Sequence, residues 1–245
     1  MKIAIISDLH SNIEALQACL SKARALNVEQ YVCLGDIIGY GPNPAETLQL
    51  VRSLPNVVVI RGNHEEALFG PYYKGLRPHI QQTVDWTRAQ LSPQQLNYLR
   101  ALPLQQTVAG MTMVHSTADR PDKWGYLYNT ELAGDCMQAS ATRLTFVGHT
   151  HQPLVFYETP TGEIKYLTPQ AGLVVPIYRQ GRYVINVGSV GQPRDDNSAA
   201  SFVVYDTNEQ ELIFCRVAYE WTITAKKIIE RGLPALFATR LEKGH

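Results

Sequence analysis

Seven side chains that can bind divalent metal ions stand at the ends of five short apolar runs in the sequence. They are Asp8, His10, Asp36, Asn63, His115, His149 and His151. Each run has the composition of a buried β-strand. Ligands of open parallel sheets bind beyond the carboxyl ends of the strands, so the five segments are expected to converge on one crevice.

The donor atoms indicate the kind of metal chemistry. Carboxylates, imidazoles and one amide oxygen, with no sulfur, suit divalent ions of the Mn, Fe, Co or Zn type. Asp8 with His10, and His149 with His151, are two residues apart, which places each pair on one side of an extended segment. Seven ligands are more than one octahedral ion with open positions needs. Two ions that share a carboxylate use them all, and such pairs, about 3.5–4 Å apart, catalyse in-line displacement at phosphorus.

The distribution of histidines favours a metal site over the alternative, a set of polar caps on strand ends. Five of the seven histidines lie in these segments. A single histidine or an isolated Asp-x-His is more often structural, but five such segments in one chain are not expected by chance. Glycines precede Asp36, Asn63 and His149, and glycine lets the backbone come close to a bound group.

The composition narrows the class of protein. The 245 residues include 22 Lys and Arg and 22 Asp and Glu, so the net charge is zero, which argues against a partner such as long nucleic acid. The four cysteines form no Cys-x-x-Cys pair, which argues against a disulfide scaffold and a cysteine zinc site. No apolar run approaches the roughly 18 residues of a membrane span. These features predict a soluble, cytoplasmic protein with no membrane partner.

The sequence changes from alternating strands and helices to consecutive strands partway along the chain, and no linker separates the two parts. The first sixty residues predict a βαβαβ unit with a parallel sheet: strands at 2–7, 31–34 and 57–60, helices at 11–26 and 44–54. Residues 69–78 predict a loop, and 79–101 a helix that breaks near Ser92. From 154 to 217 strands follow one another without helices and predict antiparallel meanders, before helices at 222–231 and beyond 234. The simplest architecture is a single α/β domain, 1–245, of two packed sheets with helices outside.

The motifs as a set resemble those of the calcineurin-like metallophosphoesterases. The chain carries, in the order of that family, Asp8-Leu9-His10, Gly35-Asp36, Gly62-Asn63-His64-Glu65, His115 and Gly148-His149-Thr150-His151. The Asp-Leu-His-Ser-Asn start and the stretches at 35–42 and 188–194 look more narrowly like small bacterial and archaeal phosphodiesterase-type members. The resemblance runs from residue 1 to about 200. It implies a four-layer αββα sandwich, in which two packed mixed β-sheets are flanked by helices.

The resemblance also implies roles for individual residues. One metal would be held by Asp8, His10 and His151, a second by Asn63, His115 and His149, and Asp36 would bridge them. The two divalent ions would be Mn, Fe, Zn or Ni, with their identity open. His64 would not be a ligand but would donate a proton to the leaving oxygen. The segment 121–129 matches no family pattern.

These expectations describe a metal-dependent phosphoesterase acting on a small phosphoester. The favoured activity is a phosphodiesterase that breaks a P–O bond by in-line attack of a metal-bridging hydroxide, with His64 as the proton donor. The alternatives are a phosphomonoesterase or nucleotidase, or a catalytically weak protein-binding scaffold of the same fold. The histidine after Asn63 favours an enzyme. The oligomeric state is open.

Residues around the ligands have two interpretations each. Asn12 and Glu65 either orient imidazoles or cap helices. Arg194 either reaches a phosphate or lies on the surface. The tyrosines either overhang the crevice or pack ordinarily; they are Tyr40, Tyr126 and Tyr128. The loop 115–129 is a candidate lid.

Overall fold

The computed structural model describes residues 1–245 and contains two mixed six-stranded sheets. The first sheet has the strand order β3 (Val57–Val59), β2 (Gln30–Cys33), β1 (Lys2–Ile6), β11 (Ala200–Asp206), β12 (Glu211–Val217) and β9 (Val174–Pro176). The second has the order β4 (Gln105–Val108), β5 (Met111–Val114), β6 (Leu144–Val147), β10 (Tyr183–Val187), β7 (Pro153–Glu158) and β8 (Ile164–Leu167).

Eight α-helices cover the sheets or connect their strands. They are α1 (Ile13–Ala25), α2 (Pro44–Arg52), α3 (Asn63–Ala67), α4 (Pro78–Ala89), α5 (Pro93–Ala101), α6 (Thr130–Ala139), α7 (Trp221–Glu230) and α8 (Ala235–Lys243). Short 3₁₀ turns lie at Pro71–Gly75, inside the segment predicted as a loop, and at Pro121–Lys123. None of the eight helices combines the length and the apolar composition that crossing a bilayer requires.

The first half of the chain forms the predicted βαβαβ unit. Strands β1, β2 and β3 are parallel neighbours, and α1 and α2 connect them. Asn12 begins α1, because its Oδ1 accepts a hydrogen bond from the backbone N–H of Ala15 at 3.1 Å. The predicted break at Ser92 is also present. Ser92 and Gln95 form a reciprocal capping box that starts α5.

The second half departs from a simple meander. Strands β7 and β8, and β11 and β12, are antiparallel neighbours as expected. Strand β10, however, returns to lie between β6 and β7 and is parallel to β6. Strand β9 does not belong to the second sheet but pairs with β12 in the first. Such long-range pairings depend on which sheet edge is open, and local periodicity does not report that.

The burial pattern of the strands produces four layers. Along β1, Ile3 and Ile5 face the second sheet, whereas Ala4 and Ile6 face the helices. Twenty buried residues fill the space between the sheets, and twenty-six lie between the first sheet and its helices. Helix α6, which the sequence pattern did not predict, covers the outer face of the second sheet. The predicted αββα sandwich of two packed mixed sheets is therefore confirmed.

Replacing Phe146 by alanine tests the core between the sheets. Phe146 is fully buried there, so Phe146→Ala should lower the free energy of unfolding by about 3–5 kcal/mol. The control, Tyr166→Ala on β8, removes a ring that is 61% exposed and should cost less than about 1 kcal/mol. Denaturant titration measures both values. Equal losses in the two variants would contradict the assigned layers.

Candidate metal centre

All seven predicted ligands lie at one edge of the sandwich, where strands of both sheets end. The loops after β1 and β2 are joined by backbone hydrogen bonds from Asp8 N to Gly35 O at 3.1 Å and from His10 N to Asp36 O at 2.9 Å. In the second sheet, Gly148 N donates to the backbone oxygen of His115 at 2.9 Å. The five segments therefore converge as expected, although they come from two sheets rather than one.

The potential donor atoms form overlapping groups within which all of them lie within 4.8 Å of one another. The groups are Asp8 with His10 and His151, Asp36 with His115 and His149, and His10 with Asp36 and His64. Asp36 lies between the first two groups, because its Oδ2 is 3.9 Å from His10 Nε2 and 3.4 Å from His115 Nε2. Asn63 joins the second group, since its Oδ1 lies 3.1 Å from His115 Nε2.

Two neutral imidazoles turn their lone pairs toward each other. The Nδ1 atoms of His10 and His151 lie 3.2 and 2.5 Å from the carbonyl oxygens of Ile38 and Gln192. A carbonyl only accepts, so each Nδ1 carries the proton, and burial lowers the pKa of both rings. The two unprotonated Nε2 atoms are 3.1 Å apart. Asp8 Oδ1 lies 3.2 Å from the Nε2 of His151 and has no hydrogen-bond partner.

This arrangement fits a cation. Three electron-pair donors in close contact repel one another unless a positive charge lies among them, and an unpaired buried carboxylate oxygen is strongly unfavourable. Each imidazole is also held from behind by a carbonyl, the usual support of a metal-ligating histidine. The donor set has no sulfur and suits a divalent first-row ion.

The electrostatics of the second group also attract positive charge. Burial would lower the pKa of His115, but the carboxylate of Asp36 overcomes it and raises that pKa to about 9. Burial lowers the pKa of His149 to about 3, assisted by repulsion from His115. Burial would raise the pKa of Asp8, yet its interactions with the neighbouring His151 and His115 hold that pKa well below its ordinary value. A bound cation would take the place of the proton on His115.

The backbone at the site is strained in a consistent way. Five of the seven predicted ligands have positive φ angles: 53° at Asp8, 45° at His10, 50° at Asp36, 66° at His149 and 61° at His151. Such conformations are uncommon for residues other than glycine and cost about 1–3 kcal/mol each. They persist only where the surroundings hold them, and they cluster at functional sites.

Glu65 holds the loop that carries Asp36. Its fully buried carboxylate accepts hydrogen bonds from the backbone N–H groups of Asp36, Ile37 and Gly62 at 2.8 Å and of Ile38 at 3.3 Å. Burial raises the pKa of Glu65 to about 7, and the charge of Asp36 adds to the effect. Glu65 therefore acts on the Asp36 backbone and on the start of α3. It makes no hydrogen bond to an imidazole.

Asn12 takes the second of its two predicted roles. Besides capping α1, it donates through Nδ2 to the backbone oxygen of Gly191 at 2.8 Å and to the hydroxyl of Tyr219 at 3.0 Å. It makes no bond to an imidazole. It ties the glycine-rich turn at 188–194 to the start of α1.

His64 lies beside the metal-ligand candidates at the start of α3. Its backbone N–H donates to Asp36 Oδ1 at 2.8 Å, and its ring lies 4.8 Å from the His10 ring and 4.3 Å from the Tyr40 ring. Gly39, with a φ of +92°, leaves room for it, because a Cβ there would lie 2.2 Å from His64 Nδ1. Burial lowers the pKa of His64. The ring is thus held within reach of the cluster.

The segment predicted as a lid packs against the second group. Trp124, in a left-handed conformation, is buried, and its carbonyl oxygen lies 3.0 Å from His149 Nε2. The ring of Tyr126 stacks on His149 at 4.2 Å and is 49% exposed. Tyr128 is more exposed and contacts no other aromatic ring of the site. Two of the fourteen residues that follow His115 thus form a wall of the crevice.

One wall of the site comes from the end of the chain and was not predicted. The Tyr40 ring lies 4.6 Å from the His10 ring on one side and 4.7 Å from the Phe237 ring of α8 on the other. No local pattern connects residues almost 200 positions apart. The apolar face of α8 indicates that the helix is packed against another element, but it does not identify Tyr40 as the partner.

Comparison with known proteins identifies the family. Residues 1–210 match the model of the calcineurin-like phosphoesterase superfamily domain. The chain belongs to this superfamily. The four-layer sandwich and the histidine and aspartate cluster of this phosphoesterase are those expected of a metal-dependent family, so the resemblance seen in the sequence is confirmed.

Two relatives match this chain over its whole length, and a third matches about half of it. An uncharacterized protein of Methanocaldococcus jannaschii is 33% identical over 250 residues, 99% of this chain and 98% of that one. The crystal structure of a metallophosphoesterase from Sphaerobacter thermophilus superposes with a TM-score of 0.90 at 39% identity, with both chains covered completely. A symmetrical bis(5'-nucleosyl)-tetraphosphatase of Pectobacterium carotovorum is 27% identical over 128 residues, 51% of this chain and 45% of that one. This family membership supports a phosphoester hydrolase.

Removing the charge of Asp36 should abolish the stabilisation of the phosphoesterase by metal. A ligand that binds only the folded state at 100 times its Kd adds about 2.7 kcal/mol to the free energy of unfolding. Added Mn²⁺ should therefore raise the Tm of the unsubstituted protein, and Asp36→Asn should lose most of that rise. Differential scanning fluorimetry measures it, with Asp135→Asn on the exposed face of α6 as the control. An equal rise in Asp36→Asn would contradict a site centred on Asp36.

Proposed function

We propose that this phosphoesterase hydrolyses a small phosphodiester with the help of two divalent cations. The observation that carries the proposal is the arrangement of two adjoining donor groups around Asp36, with an unpartnered oxygen on Asp8. The preference for a diester rests on the likeness of residues 35–42 and 188–194 to phosphodiesterase-type members of the family. The net charge of zero supports a small substrate over a long nucleic acid.

The proposal divides the ligands between two positions. Asp8, His10 and His151 would hold one ion, and a second would be held by Asn63, His115 and His149. Asp36 would contact both. Divalent ions, whether Mn, Fe, Zn or Ni, supply Lewis acidity that withdraws charge from phosphate oxygens and lowers the pKa of water. The four buried free cysteines would remain reduced in the cytoplasm, where the proposal places this activity.

His64 is the proposed proton donor to the leaving oxygen. Its ring belongs to the group formed with His10 and Asp36, and the backbone bond to Asp36 fixes its position. Burial lowers the pKa of His64, which makes its imidazolium a stronger acid, although a smaller fraction of it is protonated at neutral pH. The charge of Asp36 opposes the effect of burial and favours the protonated ring. A bound phosphate would act in the same direction.

The class of activity can be measured directly with chromogenic esters. Protein reconstituted with Mn, Ni, Zn or Mg should hydrolyse bis-p-nitrophenyl phosphate with a kcat/KM at least about tenfold above that for p-nitrophenyl phosphate. Asp36→Asn serves as the control for contaminating activity. A preference for the monoester would support the phosphomonoesterase or nucleotidase alternative. No turnover with any metal would instead support the protein-binding scaffold.

Removing the imidazole of His64 should lower kcat in a way that depends on the leaving group. Positioned proton donors contribute about 10²–10⁴-fold, so His64→Ala should lose that much with an alkyl or nucleoside leaving group. The loss should be smaller with p-nitrophenolate, which leaves without protonation. His245→Gln, near the exposed C-terminus, is the control. Turnover at the original rate, with full metal content by elemental analysis, would remove His64 from the chemistry.

A further inference from the structure

Three arginines near the crevice have no carboxylate partner. They are Arg77, Arg194 and Arg240, and the arginines that do form ion pairs are Arg61, Arg88, Arg120 and Arg216. Neither of the two carboxylates that follow Arg194 in sequence pairs with it, because Asp195 pairs with Arg216 and Asp196 lies 3.5 Å from the exposed ring of His245. Ten of the fourteen arginines of the chain form no ion pair, so these three are distinguished by their common position near Tyr40 and Phe237 rather than by the lack of a partner.

Arg194 lies one aromatic ring away from the metal-ligand candidates. Its guanidinium lies over the ring of Tyr40, 5.9 Å from the centroid, and that ring contacts His10 and His64. Its backbone N–H donates to the carbonyl oxygen of His151 at 3.3 Å. Its Nη2 donates to a glutamine side chain at 3.1 Å, but its Nε is buried without any partner. A donor left unsatisfied in this way is expected where a ligand completes the bonding.

Helix α8 brings Arg240 to the same place. Phe237 packs on Tyr40, and Arg240 follows one turn later on the same side of the helix. The end of α8 is joined to the loop that carries Arg194 by a hydrogen bond from Asp196 N to Gly244 O at 2.9 Å. Arg240 lies beyond residues 1–210, which match the family domain, so the shared domain does not include it.

The start of α4 brings Arg77 toward α8, because the ring of His79, two residues after Arg77, lies 6.2 Å from the Phe237 ring. Burial lowers the pKa of Arg240, and the positive charges of Arg194 and Arg77 lower it further. Arg77 precedes α4, whose residues Ile80 and Trp86 pack in the same apolar cluster as Phe237. Like charges held together without a counter-charge are unfavourable. Guanidinium groups are the side chains best matched to phosphate oxygens, which they bind through paired hydrogen bonds.

We propose that Arg77, Arg194 and Arg240 form a subsite for phosphate groups of the substrate other than the one that is hydrolysed. The substrate class would then be phosphoesters that carry a chain of at least two phosphates. The inference rests on the proposed function, because it assigns the neighbouring Asp and His cluster to the scissile phosphate. It adds a specificity determinant that the C-terminal helix supplies.

Binding of inorganic tripolyphosphate tests the subsite without any turnover. Isothermal titration of the metal-free chain should show tripolyphosphate bound at least about tenfold more tightly than orthophosphate. Arg240→Gln and Arg77→Gln should each raise the Kd for tripolyphosphate about five- to tenfold, and Arg240→Lys should restore part of the affinity. Arg231→Gln, an equal charge change at the exposed end of α7, is the control. An unchanged Kd in Arg240→Gln, with an unchanged Tm, would overturn the subsite.

A matched pair of esters tests it during hydrolysis. The p-nitrophenyl esters of thymidine monophosphate and of thymidine triphosphate share a leaving group and differ in two phosphates. The ratio of kcat/KM for the triphosphate ester over the monophosphate ester should fall about tenfold in Arg240→Gln and stay constant in Arg231→Gln. A constant ratio in Arg240→Gln would overturn the subsite and leave the proposed function intact. Hydrolysis of neither ester would contradict the proposed function, whereas the tripolyphosphate titration would still decide the subsite.

Discussion

The attraction of a buried carboxylate and imidazole cluster for positive charge is the interaction on which the rest of this structure depends. Asp8 and Asp36 are taken out of water almost completely, and the imidazoles beside Asp8 offer lone pairs rather than protons. Burying such groups without compensation is among the least favourable events in folding. The positive φ angles of five ligand candidates add local strain. Cations that complete the cluster would offset both the cost of burial and the backbone strain. A strand end with a purely structural role would need neither.

This requirement explains why the two sheets must pack as they do. The donor residues follow β1, β2 and β3 of the first sheet and β5 and β6 of the second, so both sheets contribute to the site. Each of the two donor groups combines residues of both sheets, so the apolar layer between the sheets also sets the distance between the donors within a group. Glu65 performs the same task at short range, because its four backbone hydrogen bonds fix the turn that carries Asp36. The packing of the core therefore also determines the geometry of the site.

Residue types and their order predicted much of the fold and the donor residues of the candidate site. The features that were not predicted depend mainly on long-range contacts. The βαβαβ start followed from apolar periodicity, and the donor residues followed from their positions after strands. Helix α3 was not predicted, because its five residues are too short to show a helical period. The parallel pairing of β10 with β6 and the pairing of β9 with β12 depend on which sheet edges are open. The stacking of Tyr126 on His149 is equally invisible to local pattern.

The C-terminal helices form part of the surroundings of the donor cluster. Residues 1–210 match the family domain, whereas α7 and α8 lie outside that match. Phe237 of α8 supports Tyr40, and Tyr40 in turn contacts His10 and His64, so this C-terminal helix supports one side of the cluster. The same helix carries Arg240 one turn away. Helix α8 therefore contributes both packing and positive charge to the surroundings of the site, and a change in α8 alters these surroundings without touching the donor residues at the strand ends.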